Sequence, residues 1–275
     1  MKFQPLNTLV LGGTGKTGRR VAQRLRARGL PVRIASRSAT PAFDWTARST
    51  WPAALAGVDA LYLSYFPDLA APGAADDLSF LCALARESRV RRIVLLSGRG
   101  EPGVLPSERA VQQSGIAFSI LRCAFFNQNF SEGHLIPLAN GEIAFPAGNV
   151  AEPFVDADDI ADVAVAALTD DAHDGNTFEL TGPRLLTFAE AASELAAASG
   201  RPIRYVAVSA EEYGVALRAH VAPEFADFLT ELFRNLLDGH NAHLAGDVER
   251  VLDRRPRDFR DYALAATQAG AFVPF

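Results

Sequence analysis

The sequence predicts an α/β fold, in which a doubly wound parallel sheet is followed by a smaller, mostly helical C-terminal region. Three observations indicate this. Short runs rich in aliphatic and β-branched residues alternate with helical segments through the first half of the chain. A glycine-rich turn separates the first of these runs from the first helix. The chain has 275 residues and 49% hydrophobic content, enough to bury a full core.

The elements of the first half follow in a regular order. A strand is predicted at residues 8–11 and a helix at 17–28, in which Val21 and Leu25 share one face and Gly29 is placed to end the helix. The alternation continues with strands at 31–35, 60–64, 92–96 and 117–121 and helices at 73–87 and 107–114. Parallel strands joined by crossover helices form the doubly wound architecture of the Rossmann fold.

Two capping boxes mark helices in the second half. Thr187 precedes Glu190 and Ser209 precedes Glu212 by three residues, the spacing at which each side chain bonds the backbone N–H of the other. These boxes predict helices at 187–199 and 209–219, with a strand at 203–207 between them. The second half is also predicted to contain a helix at 156–168 and a mostly helical stretch at 222–269 that is divided at Pro256.

The turn after the first strand carries the most specific motif. Gly12, Gly15 and Gly18 form G-x-x-G-x-x-G between strand and helix, a spacing typical of short-chain dehydrogenase relatives. Gly12 can take a positive φ, Gly15 lets the backbone approach a phosphate, and Gly18 permits close packing of helix on sheet. The N–H groups of the helix start then favour a dinucleotide pyrophosphate. The cofactor-binding residues predicted in this turn are Gly12, Thr14, Gly15, Lys16, Thr17 and Gly18.

A P-loop is the competing interpretation, because Gly15-Lys16-Thr17 spells the end of a Walker A motif. That motif requires a glycine at position 10, where this chain has Val10 inside the predicted strand. The spacing therefore favours a dinucleotide over a nucleoside triphosphate, and the other alternative is a glycine turn that binds nothing.

The residues after the second strand distinguish the two nicotinamide cofactors. An acid at this position would pair with a free ribose 2′-OH and repel a 2′-phosphate. The chain instead has Ser36-Arg37-Ser38, in which Arg37 suits a charge-assisted contact to a phosphate and Ser36 and Ser38 can donate to it. NADP(H) is favoured over NAD(H), the alternative being that Arg37 is an ordinary surface cation.

Ligands of doubly wound sheets bind beyond the carboxyl ends of the strands. We expect Ser64, Tyr65, Phe66, Ser97 and Gly98 to contact the cofactor there. Tyr65 is interpreted as a wall for the nicotinamide in preference to a proton donor. Ser97 lacks a partner for nucleophilic catalysis.

The substrate is expected beside these residues and along an aromatic and amide segment after the fifth strand. Amides would be costly in a dry core unless they are hydrogen-bonded, so this segment suits a flat, partly polar substrate. The predicted substrate-binding residues are Arg99, Phe125, Phe126, Asn127 and Asn129.

Composition excludes several other functions. The net charge is −5, and basic residues alternate with acidic ones instead of forming a stripe that would bind nucleic acid. Cys82 and Cys123 are far apart and indicate reduced thiols, and no apolar run approaches a membrane span, so a cytoplasmic protein is expected. His240 and His243 could bind a metal, but ordinary surface histidines are favoured. The acidic run at 156–159 could also do so, but helix capping is favoured, and no metal is predicted.

Lysine occurs at two positions only, neither of them four residues after a tyrosine. The Tyr-x-x-x-Lys proton relay of ordinary short-chain dehydrogenases is therefore absent from this sequence. A lysine that forms a Schiff base with substrate is nearly excluded as well, and no catalytic residue is assigned from the sequence.

Together the motifs resemble those of the NmrA-like atypical short-chain dehydrogenases. The resemblance spans nearly the whole chain and rests on the glycine turn, Ser36-Arg37, Ser97-Gly98, the stretches at 119–122 and 126–130, and 153–161. Within that group the chain resembles bacterial proteins similar to agroclavine dehydrogenase, and more distantly type-2 quinone oxidoreductase and triphenylmethane reductase.

The resemblance implies an NADP(H)-binding core at residues 1–155, with residues 156–275 completing the core and binding substrate. It also implies hydride transfer to a planar, electron-poor acceptor such as a quinone, iminium or enone. Such acceptors are already electrophilic, so positioning against the nicotinamide replaces much of the need for a protein acid. The alternative is a regulatory protein that binds NADP(H) without turnover.

Overall fold

The computed structural model describes residues 6–272, which form two units. Unit one comprises the residues up to Cys123, Ala157–Leu180 and Asp247–Arg254. Unit two comprises Ala124–Asp156, Thr181–Gly246 and the residues from Arg255 onward. The chain therefore alternates between the units, whereas the sequence predicts a single boundary at residue 155.

The strands are β1 (Thr8–Leu11), β2 (Val32–Ile34), β3 (Ala60–Leu63), β4 (Arg92–Gly98), β5 (Ala117–Cys123), β6 (Glu142–Phe145), β7 (Ala151–Glu152), β8 (Asn176–Leu180), β9 (Leu186–Thr187) and β10 (Arg204–Ala207). The helices are α1 (Lys16–Ala27), α2 (Trp51–Leu55), α3 (Ala74–Glu87), α4 (Leu105–Gln112), α5 (Asn129–Glu132), α6 (Ala157–Thr169), α7 (Phe188–Ser199), α8 (Ala210–Leu217), α9 (Pro223–Leu236), α10 (Asp247–Leu252) and α11 (Phe259–Gln268). Short 3-10 turns occupy Arg48–Thr50, Pro102–Val104 and Asp171–His173.

Unit one is built on a parallel sheet in the order β2-β1-β3-β4-β5-β8. Every residue of β1 and β3 is buried, as expected for strands covered on both faces. The strand order reverses beside β1, and at such a point in an open α/β sheet ligands bind outside the carboxyl ends of the strands. The doubly wound parallel sheet predicted from the sequence is confirmed, with β1 to β5 at the predicted places.

The sixth strand of the main sheet and the strands β6, β7 and β9 of unit two are not in the sequence prediction. Strand β8 pairs in parallel with β5 at the edge of the main sheet. Strand β6 pairs in parallel with β10, which was predicted as a strand at 203–207, so Glu142 lies opposite Arg204. These strands are short and partly polar, and pairing with segments distant in sequence decides their structure.

Arginines neutralise the acidic start of α6, which belongs to unit one. Arg24 binds Asp158 at 2.7 Å and also pairs with Asp162. Arg254 lies 2.7 Å from both Asp162 and the fully buried Asp159. Ion pairs with arginines therefore neutralise these carboxylates.

Unit two is organised around an aromatic core. Phe130, Phe145, Phe154, Phe188 and Phe259 are almost completely buried in it, with edge-to-face and tilted ring contacts. The capping boxes predicted at the starts of α7 and α8 are both formed.

Both cysteines, Cys82 and Cys123, are free and buried, and burial raises the pKa of the Cys82 thiol to about 12. In the part of the chain that the structure describes, no helix is long and apolar enough to cross a membrane.

Candidate functional site

The glycine turn between β1 and α1 is closely packed. Gly12 has a φ of +72°, and a Cβ there would come within 3.0 Å of the Ser64 Cβ. A Cβ on Gly18 would lie 2.3 Å from the carbonyl oxygen of Gly12. Only glycine at these positions lets the helix start this close to the strand end, as the motif predicts.

The N-terminus of α1 has the properties of an anion site. Gly15 is the N-cap and its N–H donates to the Gly12 carbonyl at 2.9 Å, while no side chain caps the helix and its first turn holds no acid. The helix dipole and the backbone N–H groups of the first turn therefore suit a pyrophosphate. Thr14 is exposed and Lys16 is partly exposed, whereas Thr17 is buried.

Arg37 follows β2 as an exposed side chain, and within residues 6–272 no hydrogen bond or ion pair holds its guanidinium. The hydroxyls of Ser36 and Ser38 lie 3.3 Å apart beside it. Asp44 is the nearby acid: hydrogen bonds from Thr46 lower the pKa of its carboxyl, with a smaller contribution from Arg37. The cation is available to bind a phosphate.

Tyr65 follows β3, and its hydroxyl is already engaged. It donates to the Asp77 carboxylate at 2.7 Å, and Asp77 also accepts from Arg48. Burial and this hydrogen bond raise the pKa of Tyr65 well above its ordinary value. The ring lies 4.6 Å from that of Trp45, while Phe66 is 69% exposed. This geometry favours Tyr65 as an aromatic wall over Tyr65 as a proton donor.

Ser97, at the end of β4, belongs to a buried polar network. Its hydroxyl donates to Glu108 at 2.7 Å, and the guanidinium of Arg122 binds both oxygens of the same carboxylate at 2.9 and 2.6 Å. Glu108 is 1% exposed. The network connects α4 with β4 and β5 and leaves the Ser97 proton committed to Glu108.

Arg99 also turns inward. Its side chain is 2% exposed and donates to the Glu179 carboxylate of β8 at 3.0 Å, while its backbone N–H donates to Cys123. The guanidinium therefore joins the two strands that flank β5. This ion pair is a structural role, and the geometry does not support the predicted contact of Arg99 with substrate.

Glu101, which is not among the predicted residues, lies just beyond the carboxyl end of β4. Its carboxyl group covers Gly98, so that a Cβ on residue 98 would lie 2.2 Å from Oε2. Burial, and secondarily the negative charge of Asp68, raise the pKa of Glu101 to about 8. The available signal was its position three residues after Gly98 in the loop that follows β4.

The aromatic and amide segment lies in unit two. Phe125 is partly buried, with ring centroids of Phe188 and Phe233 at 5.6 and 6.2 Å. Phe126 is bridged to Val155 beside it and is partly exposed. His134, which was not predicted, stacks on Phe233 at 5.3 Å.

The amides of this segment are buried. Asn127 donates to Asp156 at 3.3 Å and Gln128 donates to the same carboxylate at 3.0 Å. The Oδ1 atom of Asn127 is buried and accepts no hydrogen bond within the described part of the chain. Asn129 is 8% exposed. The segment thus has two partly exposed rings and a buried amide oxygen that accepts no hydrogen bond from the described residues.

His240 and Asp238 pair side by side in the loop after α9. Among residues 6–272 no group of three or more His, Cys, Asp or Glu side chains is placed to hold a metal ion.

Comparison with known proteins gives relatives along nearly the full chain, although no protein-family profile matches it. The NAD(P)H azoreductase of Xenophilus azovorans is 32% identical over 286 residues, covering 95% of this chain and 98% of the relative. Agroclavine dehydrogenases of Claviceps and an NADPH-dependent quinone oxidoreductase of Escherichia coli are also similar.

Two solved structures share the fold. The Citrobacter triphenylmethane reductase, solved with NADP(H), superposes with a TM-score of 0.74 at 21% identity, covering 95% of this chain and 99% of its own. NmrA, a negative transcriptional regulator solved with NAD, superposes with a TM-score of 0.73 at 14% identity, covering 98% of this chain and 97% of its own. From the full-length relatives and the shared fold, the chain belongs to the NmrA-like family of atypical short-chain dehydrogenases.

Proposed function

We propose that this protein is an NADPH-dependent reductase of a planar, electron-poor small molecule of the quinone, iminium or enone type. The observation that carries the proposal is the glycine cradle at the start of α1, where a side chain on Gly18 would collide with the backbone and no acid opposes a phosphate. The names of the azoreductase, quinone oxidoreductase and triphenylmethane reductase support the choice of acceptor class.

The residues of unit one would hold the cofactor. When bound, NADPH supplies a hydride from its nicotinamide ring. The N–H groups at the start of α1 bind the pyrophosphate, and Gly12 and Gly15 let the backbone approach it. Arg37 binds the 2′-phosphate with Ser36 and Ser38, and Tyr65 forms a wall for the nicotinamide.

Substrate contacts are proposed for unit two. Phe125 and Phe126 present partly exposed rings that suit a flat aromatic acceptor. The buried Oδ1 of Asn127, which accepts no hydrogen bond from the described residues, can accept one only from a substrate that carries an N–H or O–H group, such as an N–H iminium. Asn129 is buried and is proposed to orient this segment. Positioning of an electrophilic acceptor provides most of the rate enhancement in this scheme.

The decisive experiment follows the near-ultraviolet absorbance of NADPH in the presence of the protein and quinones, iminium salts or triarylmethane dyes. Protein-dependent oxidation is expected, faster with NADPH than with NADH. Tight binding of NADPH without oxidation of any acceptor would refute the reductase and favour the second candidate.

The second candidate is a sensor that binds NADP(H) without turnover. The likeness in fold to the transcriptional regulator NmrA favours it, as does the engagement of the Tyr65 and Ser97 hydroxyls by carboxylates. Binding of oxidised and reduced cofactor, measured by calorimetry, distinguishes the two candidates because a sensor must bind the two forms with different affinities.

A further inference from the structure

Glu101 occupies an unusual place at the carboxyl end of β4. Its carboxyl group lies against Gly98, close enough that a Cβ there would be 2.2 Å from Oε2 and 3.0 Å from Oε1. The residue is the N-cap of the turn Pro102–Val104, yet its side chain makes no capping bond. Across residues 6–272 no side chain or N–H group holds this carboxyl, so the fold does not use it.

The surroundings keep the group protonated at neutral pH. Burial is the main reason that its pKa rises to about 8, and the charge of Asp68, in the loop after β3, adds to the rise. Asp68 accepts a hydrogen bond from the Ala70 N–H and is itself partly buried. The nearby cations Arg99 and Arg122 pair with the carboxylates of Glu179 and Glu108. Neither forms an ion pair with Glu101 that would lower the pKa of its carboxyl group.

Two of the hydroxyl groups at this edge of the sheet, those of Tyr65 and Ser97, are engaged by carboxylates. The Tyr65 hydroxyl donates to Asp77 and the Ser97 hydroxyl donates to Glu108. Each would have to break a charge-assisted hydrogen bond before it could protonate a ligand. Glu101 is therefore a carboxyl proton donor at the carboxyl end of β4 that has no competing partner among the described residues, and its pKa of about 8 suits proton transfer near neutral pH better than that of a hydroxyl.

We propose that Glu101 is the catalytic acid for acceptors that become anionic when they take up hydride, an inference that rests on the proposed reductase function. With a quinone or enone, a C–H bond of the reduced nicotinamide would break and NADPH would become NADP+; its electron pair would form a new C–H bond on the acceptor, and the displaced π pair would move to the carbonyl oxygen. The O–H bond of Glu101 breaks, its electron pair stays on the carboxylate, and the proton forms the O–H bond of the product. Water then returns a proton to the carboxylate.

Cationic acceptors need no such proton. When an iminium or triarylmethyl cation takes up hydride, the electron pair neutralises the positive charge and the product is already neutral. The two acceptor classes therefore share cofactor binding and hydride transfer but differ in their need for Glu101. This difference provides an internal control within one protein preparation.

The experiment compares wild type with Glu101→Gln, and uses Asp76→Asn, an exposed carboxylate on α3, as the matched control. The probes are 1,4-naphthoquinone and the cationic dye crystal violet. At neutral pH we expect Glu101→Gln to lower kcat for the quinone by roughly 100- to 10,000-fold, the usual contribution of a general acid, and to leave dye reduction within roughly threefold of wild type. In the wild type, quinone reduction should decline above pH about 8, as Glu101 ionises, while dye reduction should not decline there.

A second readout does not depend on turnover. In protein labelled with 13C at the glutamate carboxyl carbons, one signal should titrate near pH 8, be absent from Glu101→Gln, and move to lower pH in Asp68→Asn. Equal losses for both acceptors, no loss for the quinone, or titration of Glu101 in the ordinary carboxyl range would overturn the acid role alone. Failure of the wild type to reduce any acceptor would instead refute the proposed function, and the acid role with it.

Discussion

The free energy of unfolding of the wild type should fall as the pH rises, because Glu101 ionises, and Glu101→Gln should not show this fall. The folded protein keeps this carboxyl protonated up to pH about 8, whereas the unfolded chain ionises it above about 4.5. Between these values the unfolded state binds fewer protons, so the free energy of unfolding falls with increasing pH. The stabilising contribution is complete below the unfolded pKa and is lost as the pH passes the folded pKa.

The size of the effect follows from the two pKa values. One pH unit between them corresponds to about 1.4 kcal/mol. The interval from 4.5 to about 8 therefore corresponds to roughly 5 kcal/mol. Solvent that reaches this partly buried side chain lowers the expected difference to about 2–4 kcal/mol. Gln has nearly the shape of protonated Glu, so the two proteins should be equally stable in acid.

The assay is urea unfolding from about pH 5 to about pH 9, followed by tryptophan fluorescence. Both tryptophans, Trp45 and Trp51, lie in unit one with Glu101, so the signal reports on the relevant part of the chain. Other titrating groups cancel in the difference between Glu101→Gln and wild type, and Asp76→Asn serves as the control. Parallel stability curves for wild type and Glu101→Gln over this range would refute the reasoning.

Three further substitutions test the other parts of the site. Gly18→Ala should lower the free energy of unfolding by about 3 kcal/mol and abolish NADPH binding, because the added methyl meets backbone. The control Gly246→Ala adds a methyl in open space and should change neither the stability, measured by urea unfolding, nor NADPH binding, measured by calorimetry. Glu108→Gln should lower the free energy of unfolding, measured in urea, by about 3 kcal/mol because it breaks a buried ion pair. Glu211→Gln breaks an exposed ion pair and should lower it far less; similar losses for the two variants would contradict this account of the network. Arg37→Ala should weaken the binding of NADPH roughly 10- to 100-fold, measured by fluorescence titration, and have little effect on the binding of NADH. Equal losses of affinity for the two cofactors would exclude the 2′-phosphate contact.

Local patterns in the sequence were enough for the first five strands and the capping boxes. The strand β1 was predicted at its observed bounds, because an apolar run followed by a glycine turn is a local signal. Thr187 and Ser209 begin their boxes as predicted, since a cap depends on residues three positions apart. Strand β8 was missed, because its pairing with β5 depends on residues far apart in sequence.

For the candidate site, residue types were predictable but their partners were not. Tyr65 and Ser97 were identified as polar groups at the strand ends, yet their hydrogen bonds to Asp77 and Glu108 emerge only from the packing of α3 and α4. Arg99 has the residue type of a substrate ligand, but its side chain pairs with a strand contributed by a distant part of the chain.

The sequence by itself determined the fold class and the dinucleotide turn, because helix and strand periodicity and glycine spacing act over a few residues. Only the tertiary structure decided which side chains remain available for chemistry. Burial and pairing commit the Tyr65, Ser97 and Arg99 side chains to carboxylates, while Glu101 is placed against Gly98 without a partner among residues 6–272. The physical reason is that the pKa and hydrogen bonding of a side chain depend on the groups and solvent around it, and folding brings these together from segments that are distant in the sequence.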